Sequence, residues 1–464
     1  RVFMENKIFA VIMAAGDDDR MKSSLPKVMH KICGHPMIQY VVDAALGVAN
    51  CQPIVVLGEG GEEIKELLGS DIKYAYQQES LGTGHAVMMA QQYLENQTGY
   101  ALVLAGNIPL ITSETLQNLV DYCTNGNYDA VALSALFENP HGYGRIVRDI
   151  AGDFERIVEH KDATEEEKLI KEVNSSIYCF SIPELLEGLS KLDNNNPQGE
   201  YYLTDVLGIL KSQGKKIGVY TVYDSAEIMG VNTRIQQAEA HKILNRRINF
   251  SHLENGVTLI DPDNTYIGPY VKIDRDVVIY PGNVIEGHTT IGEGTILYPN
   301  SRIVDSVIGK GTQIQSSVIL ESQVGNGSTI GPFAYLRPGS KIGNKVRIGD
   351  FVEVKNAKID DGSKVSHLTY IGDGEVGKNV NIGCGVVFVN YDGKKKHRII
   401  VEDNAFVGCN TNLVAPVRVE KNSYIAAGST ITDDVPQDAL AIARARQVNK
   451  ENWVIKKKNE TEEN

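Results

Sequence analysis

"TYIGPYVKIDRDVVIYPGNVIEGHTTIGEGTILYPNSRIV", residues 265–304, carries an aliphatic side chain at every sixth position: Ile267, Ile273, Ile279, Ile285, Ile291, Leu297 and Ile303. After short slips the register resumes at Ile330, Leu336, Ile342, Ile348 and Val354, and again at Val401, Val407, Leu413, Val419, Ile425 and Ile431. Glycine often follows the aliphatic, as in Ile267-Gly268, Ile291-Gly292, Ile342-Gly343 and Ile348-Gly349. A six-residue repeat of this kind predicts a parallel β-helix. One turn cannot bury its aliphatics alone, whereas stacked turns share a continuous core. The register breaks between Phe388 and Val401 for "VNYDGKKKHRII", residues 389–400. A polar, basic loop ejected from a solenoid is presented to something.

Upstream the pattern changes. Residues 9–16, 53–58 and 100–110 read as buried strands, and residues 35–49, 83–96 and 112–125 as helices. The last helix opens on Thr112 or Ser113 as a cap, with Glu114 in its first turn. Alternating strands and helices predict a mostly parallel sheet covered on both faces, a Rossmann-like α/β head. Loops 14–27 and 105–110 follow strands, so both should line the crevice beyond the strands' carboxyl ends. The first begins as a phosphate-binding turn, "VIMAAG", then runs through Asp17, Asp18 and Asp19. Residues 233–250 read as a connecting helix. The expected organisation is a head over 4–232, a linker helix over 233–255, the β-helix over 256–440 and a tail over 441–464.

The chain's 464 residues suit two or three domains. A net charge of −13 argues against nucleic acid as the main partner. Six scattered cysteines without CxxC or zinc spacing read as free thiols of a reducing, cytoplasmic compartment. No signal peptide and no membrane-spanning run is read, and Met4 looks like a natural start.

Hexapeptide solenoids serve several chemistries. A zinc anhydrase needs three histidines around its metal, and His252, His288, His367 and His397 are too scattered. An ice-binding rod needs ranks of threonine, which are missing. An acyltransferase needs a base and a cationic groove for coenzyme phosphates. His367 can be the base and Lys394–Arg398 the anchor, though a structural histidine and a solvated loop are the plain alternatives.

"RPGSKIGNKVRIGDFVEVKNAKIDDGSKVSHLTYIGDGEVGKNVNIG" (337–383) followed by "VNYDGKKK" (389–396) closely resembles the bifunctional bacterial N-acetylglucosamine-1-phosphate uridyltransferase/glucosamine-1-phosphate acetyltransferases. So do "LPKVMHKICGHPM" (25–37), "QQESLGTGHA" (77–86), "GYGRIVRD" (142–149), "IVEHKDA" (157–163) and "NNNPQGEYYLTD" (194–205) in the head. The resemblance runs from Met4 to about Trp453, with the motifs in the family's order. It implies a nucleotidyltransferase head on a left-handed β-helix, and a homotrimer with acetyl-transfer sites between neighbouring solenoids. It implies two reactions: acetylation of glucosamine-1-phosphate from acetyl-CoA, then magnesium-dependent uridylyl transfer from UTP to N-acetylglucosamine-1-phosphate.

Carried over motif by motif, His367 takes the amine proton. Arg337, Lys355, Tyr370 and Asn381 hold the acceptor sugar phosphate. Asn390, Tyr391, Lys396 and Arg444 match acetyl-CoA contacts, as do Cys384, Cys409 and Ala427. Cys384 and Cys409 stand where the family usually has alanine and serine. In the head, Met13, Ala14, Ala15 and Gly16 match the nucleotide loop, and Arg20 and Lys27 its phosphate-facing cations. Gln77, Gly82 and Thr83 match the uracil pocket. Gly144, Glu159 and Asn174 match the acetamido-sugar contacts. Asn232 and Asn107 occupy the metal-ligand positions.

Four places depart from the family. Asp18 replaces a glycine and Asp19 a threonine; Asn107 replaces the metal-binding aspartate; the Asn-Thr-Gly turn is Asn174-Ser175-Ser176. An aspartate about 4 Å from a phosphate charge costs roughly 1–4 kcal/mol at effective dielectrics of 80 to 20. Asn107 has lost the charge that helps hold a hard cation. The expectation is an intact acetyltransferase with weakened uridylyl transfer. Two alternatives stand beside it: a monofunctional acetyltransferase whose head only binds nucleotide, and a non-catalytic scaffold on the same folds.

Overall fold

The computed structural model describes residues 7–16, 19–196 and 198–462. It divides into two compact units, residues 1–245 and 246–464, with the boundary inside the helix Arg234–Glu254.

The head is a nine-stranded sheet. Its main path runs Ile217–Val222, Ala130–Leu136, Glu172–Ser181, Tyr100–Ala105, Ile8–Ala14, Cys51–Leu57 and Lys73–Tyr76. All neighbours on this path are parallel except Glu172–Ser181, which is antiparallel to both strands beside it. Val11, Ile12, Val55, Val56, Leu102 and Val103 are fully buried, because helices cover both faces. Those helices include Met37–Leu46, Thr83–Met89 and Ser113–Asn125. The Thr112 hydroxyl caps the last, accepting a hydrogen bond from the Thr115 N–H at 3.1 Å. The predicted strand 100–110 is shorter, ending at Ala105; residues 106–110 turn across the sheet's carboxyl edge.

The second unit stacks short parallel strands into three sheets of eleven, ten and nine strands. Three sheets and a six-residue spacing make each coil three hexads long. Ile267 therefore pairs with Ile285, and Ile285 with Ile303. Their side chains form one buried column of the core. A second rank of small polar residues is also buried, including Thr295, Thr312, Ser328 and Ser363. Each returns its hydroxyl to a carbonyl of the next coil, as Thr312 does to Gly325 at 2.9 Å and Ser328 to Gly343 at 2.9 Å. Burial without penalty requires such partners.

The register slip at 389–400 is an insertion. Ile359 pairs with Val376 across an ordinary coil, whereas Gly374 pairs with Ile399 across a longer one. The surplus leaves the coil as a loop.

Candidate active sites

The solenoid stacks Asp350, His367, Cys384, Cys409 and Ala427 in one column, one residue per coil. Asp350 is paired with His367 directly. The pairs Lys364–Asn381, Asn381–Phe406 and Phe406–Tyr424 carry the same register upward. At the base of the column, His367 Nδ1 lies 2.7 Å from Asp350 Oδ1. That hydrogen bond holds the Asp350 carboxyl below its ordinary value. With Nδ1 donating to the carboxylate, Nε2 is left as the acceptor that a general base needs. Asp350 escaped the sequence reading, because it lies a full coil before His367.

On the adjoining sheet, Arg337 and Lys355 stack on neighbouring coils, the Arg337 N–H donating to the Val354 carbonyl at 2.8 Å. Glu353 anchors the Arg337 guanidinium at 2.8 Å. Lys396 reaches out of the ejected loop to the Lys355 ammonium. That contact, before desolvation, holds Lys355 below its ordinary value, and Arg337 adds to it. Three cations in one neighbourhood, Arg337, Lys355 and Lys396, can accept an anion between them. Tyr370 follows on the next coil, its hydroxyl folded over Gly372. A methyl group added to Gly372 would lie 2.2 Å from that oxygen and 2.8 Å from Asn390 Nδ2. Asn390 is buried and donates to Asp373 Oδ2 at 2.6 Å. Asn381 stands on the sheet of His367, stacked between Lys364 and Phe406.

Asp392 shapes the loop. Its carboxylate accepts the N–H groups of Lys394 (2.7 Å) and Lys395 (2.6 Å) and pairs with His397 Nε2 (2.7 Å). These bonds pull it down to about 2. Tyr391 bridges to Lys396 across the loop, its hydroxyl donating to the Gly393 carbonyl at 2.7 Å. The basic run is thereby split. Arg398 pairs with Glu375 and His397 with Asp392, while Lys396 turns toward Lys355. Arg444 lies beside Gly428, next to Ala427 at the top of the column.

In the head, the adjacent strands Ile8–Ala14 and Tyr100–Ala105 end side by side. This places Met13, Ala14, Ala15 and Gly16 next to Asn107, with the Gly106 N–H donating to the Met13 carbonyl at 2.9 Å. Lys27 Nζ donates to Asn232 Oδ1 at 3.0 Å, and Asn107 Nδ2 donates to the same oxygen at 2.9 Å. Arg20 is exposed on the short helix Asp19–Met21. Asp17, Asp18 and the Asp19 side chain lie outside the described residues.

A second group joins Gln77, Gly82 and Thr83. Gln77 is buried, and its Nε2 bonds the Gly82 carbonyl at 3.2 Å and His85 Nδ1 at 3.0 Å. The Thr83 hydroxyl accepts the Leu203 N–H at 3.1 Å. His85 was not singled out from sequence. A third group joins Gly144, Glu159 and Asn174. The Asn174 N–H donates to the Gly144 carbonyl at 2.9 Å, and a methyl group on Gly144 would lie 3.5 Å from Glu159 Oε1. Burial raises the Glu159 carboxyl above its ordinary value. The turn after Asn174 keeps a left-handed residue, and Ser176 bears it at φ 62°.

Magnesium fits the described residues poorly. Asn107 and Asn232 are both neutral, and the Asn232 oxygen already accepts from an ammonium and an amide. A hard dication favours charged oxygens. No group of three His, Cys, Asp or Glu side chains among the described residues could hold a metal.

The MobA-like NTP transferase domain model matches residues 10–175, and the GMPPB C-terminal domain model residues 258–355. The chain is 57% identical over 450 residues to the bifunctional protein GlmU of Clostridium acetobutylicum, covering 97% of this chain and 98% of that one. The GlmU proteins of Clostridium novyi and Geobacillus sp. match at the same identity and coverage, over 450 and 448 residues. A solved UDP-glucose pyrophosphorylase complexed with UDP-glucose overlays with a TM-score of 0.44 at 18% identity, covering 52% of this chain and 99% of that one.

Proposed function

The chain belongs to the bifunctional GlmU proteins, and on that premise we propose how its residues divide the two activities. The solenoid transfers acetyl from acetyl-CoA to the amine of glucosamine-1-phosphate. The head transfers uridylyl from UTP to N-acetylglucosamine-1-phosphate, releasing pyrophosphate. The products feed cell-wall and peptidoglycan synthesis.

In acetyl transfer the sugar phosphate sits on Arg337, Lys355 and Tyr370, with Lys396 closing the loop over it. His367 Nε2 takes the amine proton as nitrogen attacks the thioester carbon. The C–N bond forms, the C–S bond breaks, and the departing thiolate takes up a proton. Asn390, Tyr391, Ala427 and Arg444 line the coenzyme's path. The Asp350–His367 pair at 2.7 Å carries this reading, because a ring that only filled space would have no need of a fixed tautomer. His367→Ala tests it through thiol release from acetyl-CoA with glucosamine-1-phosphate. Loss of release, with uridylyl transfer retained, is expected; persistent release overturns the assignment.

In uridylyl transfer the sugar's phosphate oxygen attacks the α-phosphorus of UTP while Arg20 and Lys27 neutralise the phosphates. Gln77, Gly82 and Thr83 hold uracil, and Gly144, Glu159 and Asn174 hold the acetamido sugar. Of the departures behind the expected weakening of this half, Asp17, Asp18 and the Asp19 side chain lie outside the described residues, while Asn107 is described and donates to Asn232 Oδ1 at 2.9 Å. A magnesium requirement remains a proposal, with the phosphates of UTP rather than a carboxylate at position 107 as its charged oxygens.

The acetyl site is completed by two further copies in a homotrimer. Phe333, Phe351 and Leu368 support this: they stack on consecutive coils beside His367, all exposed, the two phenyl rings 5.4 Å apart. A contiguous apolar strip of this kind marks an association surface. Light scattering of the purified protein checks the count. We place the enzyme in the cytoplasm; no helix among the described residues is long and apolar enough to cross a membrane.

A further inference from the structure

The column that holds Asp350 and His367 continues with two cysteines on consecutive coils. Ile382 pairs with Val407, which sets Cys384 against Cys409 in the same register. The backbone agrees: the Asn410 N–H donates to the Cys384 carbonyl at 2.7 Å. A methyl group on Gly383 would lie 2.6 Å from the Cys409 nitrogen. Adjacent strands of a sheet are about 4.8 Å apart. A disulfide spans Cα atoms about 4.4–6.8 Å apart, a range that includes the spacing of stacked coils.

The chain's six cysteines are not equivalent. Cys33, Cys123 and Cys179 are buried, Cys51 and Cys384 are partly exposed, and Cys409 is exposed. Burial pushes the Cys33 and Cys51 thiols up to about 12 and the Cys179 thiol well above its ordinary value. A thiolate, not a thiol, attacks a disulfide, so those cysteines are poor nucleophiles. Cys384 and Cys409 are left as the accessible thiols. One lies a single coil from His367, and the coenzyme that passes them is itself a thiol once its acetyl group has left.

We propose that Cys384 and Cys409 form a thiol–disulfide exchange site for low-molecular-weight disulfides, and that its closure shuts the acetyl-transfer groove. The chemistry balances in two exchanges. The thiolate of one cysteine attacks a disulfide RS–SR, forming a protein–SR bond and expelling RS⁻, which takes up a proton. The second cysteine, losing its own proton, attacks the protein sulfur of that bond, expelling a second RSH and forming the Cys384–Cys409 disulfide. Two protein thiols are oxidised and one small disulfide is reduced to two thiols. Reducing thiols run the sequence backward.

The loss of acetyl transfer rests on the placement of that activity in this column; the disulfide itself does not. The full-length protein is therefore treated with oxidised glutathione or, separately, with the disulfide of coenzyme A. It is then alkylated and digested, and the peptides are mapped by mass spectrometry. Expected is a cross-linked pair of peptides containing Cys384 and Cys409. Acetyl transfer falls, dithiothreitol restores it, and uridylyl transfer stays constant throughout as the internal control. Cys384→Ser and Cys409→Ser, each compared with its own reduced form, lose the cross-link and leave a mixed disulfide on the remaining cysteine. Faster closure by the coenzyme disulfide than by oxidised glutathione identifies recognition by the coenzyme groove; equal rates identify general exchange at the same pair. Both cysteines alkylating fully after treatment overturns the site. Stable mixed disulfides on both without a cross-link overturn the pairing. A cross-link that leaves acetyl transfer unchanged overturns the gating, and with it the placement of the coenzyme along this column, while leaving the disulfide established.

Discussion

Gly372 packs against Tyr370 and Asn390, both assigned to the proposed acetyl site, and Gly372→Ala tests how finely those two side chains are set. The added methyl would meet the Tyr370 hydroxyl at 2.2 Å and Asn390 Nδ2 at 2.8 Å. Ordinary contact begins near 3.4 Å, so the hydroxyl must retreat by more than an ångström and the amide by about half as much. Both atoms end side chains, and Gly372 does not have positive φ, so the coil itself accommodates alanine. The strain therefore falls on two groups proposed to contact substrates. Moving Asn390 also breaks its 2.6 Å bond to Asp373, the bond that seats the start of the ejected loop. A displacement of about 1 Å in a positioning group costs roughly 10²-fold in rate. The variant should keep its melting temperature and its uridylyl transfer. Its acetyl-transfer kcat/KM should fall by about two orders of magnitude, read as thiol release over a range of both substrates. Wild-type kcat/KM in a folded variant would refute the reasoning, because Tyr370 and Asn390 would then be free to move without consequence.

Asn107→Asp should lower the magnesium concentration needed for half-maximal uridylyl transfer by about tenfold or more, since a carboxylate about 4 Å from a cation gains at least about 1 kcal/mol per unit charge even in water. A magnesium titration under saturating UTP checks it. Ser176→Gly should raise the stability of the head by up to about 1 kcal/mol, because a left-handed backbone suits glycine and strains serine; denaturant titration of the head's unfolding transition reads the change. Asp392 has a depressed carboxyl in the folded loop, about 2, so its ordering contribution is complete above the unfolded value near 3.9 and is lost as pH falls through the folded one. The protection of the Lys394 and Lys395 amides against exchange, measured relative to the intrinsic rate at each pH, should be lost between about pH 4 and about pH 2, and at neutral pH in Asp392→Asn.

The sequence was most legible where chemistry is local. The hexad of aliphatics predicted the solenoid because each repeat states its own inward position, and the coils bear this out at Ile267, Ile285 and Ile303. Gly82 and Gly144 were singled out only through the resemblance of "QQESLGTGHA" and "GYGRIVRD" to the family's motifs. Illegible were the partners supplied by neighbouring coils. Asp350 beneath His367, Asp373 against Asn390 and Cys384 below Cys409 are each separated in sequence by a whole coil. Coils of slightly different length close equally well, so one slip changes every later alignment. Asp350 supports His367 because the register between their coils pairs them, and no local pattern announces that.

What the sequence determined by itself was the class of each half, a parallel α/β sheet and a β-helix, because burial periodicity is written residue by residue. It also determined that the loop at 389–400 leaves the coil. Tertiary structure alone decided which side chains share a column, how Asp392 divides the basic run, and that Lys396 faces Lys355. Those are relations between coils. Their physical basis is the strand spacing of the solenoid, which brings residues far apart in the chain within reach of one another once every earlier coil has taken its length.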